Sequence, residues 1–139
     1  MINPKQALAK YGPPESEKSM LVWIVPLELE IGQIPKKIYC NKDMVGPASK
    51  AFKQLIDTGK VDELKTWNGC FDLRKQRGAG VQSLHSWGLA FDLNAAWNKM
   101  YTNGNLSPEF VKCFTDNGFD WGGNFKNRKD PMHFQLSSI

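Results

Sequence analysis

Apolar positions along the chain change period several times, and each change marks an element. Between Pro47 and Asp57, the residues Ala48, Ala51, Phe52, Leu55 and Ile56 recur at helical spacing, and Gly59 closes the run. Ser107-Pro108-Glu109 opens a second helix that carries Phe110, Val111 and Phe114 and stops at Gly118. A short helix starts at Asn3-Pro4 and ends before Gly12-Pro13-Pro14, and Ala95 to Met100 suggests another. Elsewhere the period falls towards two. Leu21 to Val25 is β-prone, and beyond Pro26 the residues Leu27, Leu29 and Ile31 alternate with Glu28 and Glu30, which predicts an edge-like extended piece. Lys37 to Cys40 and Leu64 to Phe71 are further strand candidates. Glu15 to Ser19, Gln76 to Gln82, Asn103 to Asn105 and Trp121-Gly122-Gly123 are read as linkers, loops or turns, the second of them a possible rim.

The clearest alternation begins at Gly88. Gly88, Ala90 and Asp92 fall on one face and Leu89, Phe91 and Leu93 on the other. The second face suits a core; the first is nearly bare until Asp92, which predicts an open cleft floor ending in a carboxylate. His85 stands just before this strand, where a turn at Ser86-Trp87-Gly88 would fold its imidazole over that floor. Near the C-terminus His133 and Gln135 alternate with Met132, Phe134 and Leu136. Short strands interspersed with few helices give an α+β expectation: one small domain, residues 1–139, a mostly antiparallel sheet with helices packed on it, and a cleft on the sheet.

Composition narrows the class. A chain of 139 residues with 41% hydrophobic and 12% aromatic content can bury a real core. No apolar run approaches a membrane span, and the first residues do not read as a secretory signal, so the expected setting is the cytoplasm of the producing cell. Cys40, Cys70 and Cys113 are odd in number, widely spaced and outside any CxxC, and are read as thiols rather than a disulfide framework. Net charge is +4, and the one dense basic run is Lys126-Asn127-Arg128-Lys129. The charge favours anionic partners. No basic-aromatic stripe points to nucleic acid.

Only two histidines occur, and both sit in alternating, acid-flanked motifs. Adjacent strands would bring His85, Asp92 and His133 to one point. Two imidazoles and a carboxylate, with a coordination position left over, make a catalytic zinc pattern, in which the metal lowers the pKa of its bound water to about 7. A structural zinc site in a binding module would instead be closed by four ligands. Such chemistry also needs a proton carrier off the metal. Asp130 is the candidate, held extended by Pro131.

Ser83-x-His85-x-x-Gly88-x-Ala90-x-Asp92, followed by Trp121-Gly122-Gly123 and Asp130-Pro131-Met132-His133-Phe134, resembles the zinc D-alanyl-D-alanine carboxypeptidase and L-alanyl-D-glutamate endopeptidase family. The resemblance covers roughly residues 67–136. It implies His85, Asp92 and His133 as zinc ligands, Asp130 as general base and Arg74 as the arginine that binds substrate, with Arg77 the rival for that place. Many members carry glutamate where this chain has Asp130. The resemblance also implies peptidoglycan stem peptides as substrate; neither nucleic acid nor membrane insertion is expected. Cleavage of the L-alanyl-D-glutamate bond by a monomeric, phage-type endolysin is the expected activity, and D-alanyl-D-alanine carboxypeptidase the alternative. Ser83 is a candidate to contact substrate or orient a ligand, Trp87 and Trp121 to wall the cleft, and Gln135 to support His133.

Overall fold

The computed structural model describes residues 1–74 and 82–139, so Arg77 and nearly all of the 76–82 loop lie outside the described residues. The fold is α+β. Three helices, α1 (Pro4–Tyr11), α2 (Val45–Asp57) and α3 (Pro108–Thr115), accompany two antiparallel sheets. The smaller sheet pairs β1 (Met20–Ile24) with β2 (Lys37–Asn41). The larger contains β3 (Trp67–Gly69), β4 (Ala90–Leu93), β5 (Phe119–Trp121) and β6 (His133–Leu136), in the order β3-β4-β6-β5.

Capping chemistry fixes the helices where the sequence signals them. Asn3 and Gln6 form a reciprocal capping box at the start of α1, and Gly12 ends it with φ +77°. Ser107 caps α3 by accepting from the Phe110 amide. Both helices α2 and α3 turn apolar faces to the large sheet. Phe91 on β4 and Phe134 on β6 stack with centroids 5.6 Å apart, Phe114 of α3 lies 4.7 Å from Phe134, and Trp67 stacks on Phe91 at 4.7 Å. Phe52 of α2 meets both Trp67 and Phe114 edge-on, and Trp23 of β1 stacks on Phe52. Each fully buried phenylalanine contributes about 1.5–3 kcal/mol by its removal from water. This aromatic layer is the centre of the core.

Four expectations change. Leu27 to Ile31 is not a strand: Leu27–Leu29 forms a 3-10 turn after Pro26, and only Leu29 reaches the core, with Leu27 80% exposed. The strand expected from Leu64 to Phe71 shrinks to Trp67–Gly69, because Leu64 ends a 3-10 turn and the Asn94 side chain takes the Lys65 and Thr66 amides. Ala95–Trp97 is one 3-10 turn rather than a helix reaching Met100. Trp121 closes a strand, β5, instead of opening a loop. Among the described residues no helix is long and apolar enough to cross a membrane.

Candidate metal centre

The site forms where β4 and β6 lie side by side. Their register sets Asp92 directly opposite His133, with Phe91 opposite Phe134 and Ala90 opposite Gln135. Alternation then sends Phe91 and Phe134 into the aromatic core and leaves Asp92, His133 and Gln135 together on the reverse face. His85 arrives from a 3-10 turn, Leu84–Trp87, whose N-cap Ser83 accepts from the His85 amide. Gly88 ends this turn with φ +65°, and a Cβ there would stand 2.6 Å from the Asn41 amide nitrogen. The turn expected at Ser86-Trp87-Gly88 is therefore present, but the bare face beside it is no open floor. Met20 and Asn41 cover Gly88, and Ala90 is fully buried.

Asp92 Oδ1 lies 3.3 Å from His85 Nε2 and 3.4 Å from His133 Nδ1, and the three donor atoms fall within 4.8 Å of one another. The other ring nitrogens are committed. His85 Nδ1 donates to the Cys70 carbonyl at 2.7 Å, and His133 Nε2 donates to Gln135 Oε1 at 2.9 Å. Each bond puts the proton on the remote nitrogen and turns a lone pair towards Asp92. His85 Nε2 and Asp92 Oδ1 are buried, close, and make no hydrogen bond to each other or to any other group among the described residues. Three electron-rich atoms in this arrangement repel unless a cation stands between them. Two ligands about 2.0–2.1 Å from a tetrahedral zinc ion stand about 3.3–3.4 Å apart, which matches both separations. The donor set fits a metal ion.

In the metal-free site a proton is the remaining candidate. Burial on its own would raise the Asp92 carboxyl, yet His133 and His85 hold it well below the usual carboxylate range. Burial would lower His133, and the facing Asp92 carboxylate outweighs this and raises it, with Gln135 and Asp130 acting in the same direction.

A cavity of about 580 Å³ opens over these atoms, and Arg74, Ser83, Asp130, Phe125 and Lys126 help to line it. Arg74 Nη2 reaches Asp92 Oδ2 at 3.3 Å and Nη1 reaches Asp72 Oδ2 at 3.5 Å. Its backbone is tied to the histidine turn, since the Arg74 carbonyl accepts from the Ser83 amide and the Arg74 amide donates to Ser86 Oγ. Asp130 begins the turn into β6, where its carbonyl accepts from the His133 amide. Gly122 makes that turn possible: a Cβ there would lie 2.2 Å from the Asp130 carbonyl oxygen. Trp87 faces elsewhere, its indole donating to the Gly12 carbonyl at 2.8 Å, and it does not line the cavity. Trp121 likewise spends its indole N–H on the Pro131 carbonyl. The site also uses three groups not expected from the motifs: the Cys70 carbonyl, Ser86 and Phe125, whose ring packs 5.8 Å from His133. A backbone carbonyl leaves no mark in sequence, while Ser86 was visible as a second serine in the histidine motif.

Residues 76–136 match the family model described as D-alanyl-D-alanine carboxypeptidase. The match spans under half of the chain and contains His85, Asp92, Asp130 and His133, with Arg74 just outside. It supports a metal-dependent peptidase acting on peptidoglycan peptides. The chain matches no curated protein and no solved structure.

Proposed function

We propose that the protein is a zinc peptidase that hydrolyses the L-alanyl-D-glutamate bond of peptidoglycan stems, working as a monomer in the manner of a phage endolysin. The observation that carries the peptidase reading is the convergence of His85 Nε2, His133 Nδ1 and Asp92 Oδ1 on one point of an open cavity. Zinc held by these residues would supply Lewis acidity towards a scissile carbonyl and an acidified water. The chain's own residues do the rest. Asp130 takes the proton of the attacking water and returns it to the leaving nitrogen. Arg74, beside Asp92, offers its guanidinium donors to the developing oxyanion or to a substrate carboxylate. Ser83 positions His85 through its backbone amide. Gln135 and the Cys70 carbonyl hold both imidazoles in the metal-binding tautomer.

Mass spectrometry of purified peptidoglycan digested with the zinc-loaded protein tests this reading. New D-glutamate amino termini, abolished by a chelator, are expected. Loss of one D-alanine per stem would make the enzyme a carboxypeptidase and remove the lytic role. Intact stems in the presence of bound zinc would overturn the peptidase reading.

A further inference from the structure

The basic run Lys126-Asn127-Arg128-Lys129 has no part in the chemistry above, yet the fold carries it to the mouth of the metal cavity. Lys126, Asn127 and Arg128 all line the opening. Phe125, packed on the His133 ring, pins the segment there. Across the lining, the cations Arg74, Lys126 and Arg128 face the carboxylates Asp92 and Asp130, and a bound dication takes the balance further positive. Arg74 is engaged with Asp72 and Asp92, whereas Lys126 is exposed and makes no ion pair among the described residues. A cavity that gathers positive charge at its rim, above a metal-binding floor, suits a ligand bearing a carboxylate near the group that reaches the metal.

We infer that Lys126, assisted by Arg128, forms an anion subsite that selects peptides with a free carboxylate on the residue following the scissile bond. The inference rests on the stem-peptide reading of the same site. In that substrate D-glutamate continues through its γ-carboxyl and leaves its α-carboxylate free beside the cleaved amide; a terminal D-alanine would present a carboxylate there too. Amidation of that α-carboxylate removes the charge while hardly changing the shape. The subsite therefore separates amidated from non-amidated walls.

Calorimetry on the zinc-loaded protein tests this with a ligand that holds no bond to cut, a peptide beginning with D-glutamate linked through its γ-carboxyl, with the α-carboxyl free or amidated. The free acid should bind more tightly. Lys126→Gln should weaken it about twofold to fivefold, the scale of a solvent-exposed ion pair, and leave the amide unaffected. Raising salt should erase the preference. Kinetics on the matching uncut stems should show the effect in KM and not in kcat. Equal affinity for acid and amide, or a preference that survives Lys126→Gln combined with Arg128→Gln, would overturn the subsite. A failure of the peptidase reading would appear separately, as absence of cleavage of either stem, and the calorimetric comparison would still decide the subsite.

Discussion

At the scale of single residues, the site depends on which nitrogen of each imidazole carries the proton. Gln135 Oε1 accepts from His133 Nε2 at 2.9 Å and so presents Nδ1 to the metal position. Gln135→Leu removes this acceptor in a buried place and frees the ring to take the wrong tautomer. Zinc affinity should fall about 10–100-fold, read by competition with a chelating dye; unchanged affinity would assign the orientation to packing alone. Protons compete for the same atoms. His133 is raised by Asp92, so in the metal-free protein its contribution to stability is present at low pH and is lost as pH rises through its folded value. Asp92 is depressed, so its contribution holds above the ordinary carboxylate range and is lost only in stronger acid. Zinc requires His133 unprotonated. The rise in melting temperature on adding zinc should therefore grow from pH 6 to pH 8, and scanning calorimetry at several pH values checks it. A shift that shrinks over that range would mean that His133 is not a ligand.

At the scale of elements, the two turns that deliver the chemistry rely on glycines for different reasons. Gly88 is left-handed, whereas Gly122 is needed for space, with a Cβ only 2.2 Å from the Asp130 carbonyl oxygen and 3.1 Å from His133 Cβ. Gly122→Ala must displace the Asp130–His133 turn, and an activity loss of at least about tenfold is expected, with zinc affinity reduced as well. Gly46 of α2 has nothing beyond its chain neighbours within 4 Å of an added Cβ, but it precedes Pro47, whose ring disfavours helical backbone at a residue carrying a Cβ; Gly46→Ala should therefore gain less than the roughly 1 kcal/mol of an ordinary helix-interior exchange in chemical denaturation. What sequence made visible follows the same division. The period of Phe91 and Asp92, and of Phe134 and His133, reported both the core face and the site face, because a pleated strand sorts its side chains by parity. Asn3 and Ser107 announced their helices through their own side-chain chemistry. The Leu27–Ile31 alternation misled, since parity carries no information without a neighbouring strand to pair with. The strand expected over Leu64 to Phe71 contains β3, but its shortness was hidden, since the Asn94 side chain that takes the Lys65 and Thr66 amides comes from about 30 residues away.

At the scale of the whole molecule, one sheet serves two environments. The phenylalanine layer beneath β4 and β6 is held by α2 and α3, and the metal position lies on the opposite face of the same strands. Among the described residues none of the aromatic core contacts passes through the donor cluster, so folding should not wait for the metal, in contrast to small domains whose only core is a zinc site. The cysteines report on this directly. Cys40, Cys70 and Cys113 are all buried, and burial pushes the Cys40 thiol up to about 12 and raises the other two. Neither reactive thiolate nor access is then offered to an alkylating reagent at neutral pH. After chelation, the protein should melt at a lower temperature, keep its far-ultraviolet circular dichroism, and take up no iodoacetamide by mass spectrometry. In denaturant it should take up three labels. Rapid labelling of the chelated protein without denaturant would show that the metal holds the sheet together, and that core and site are a single cooperative structure.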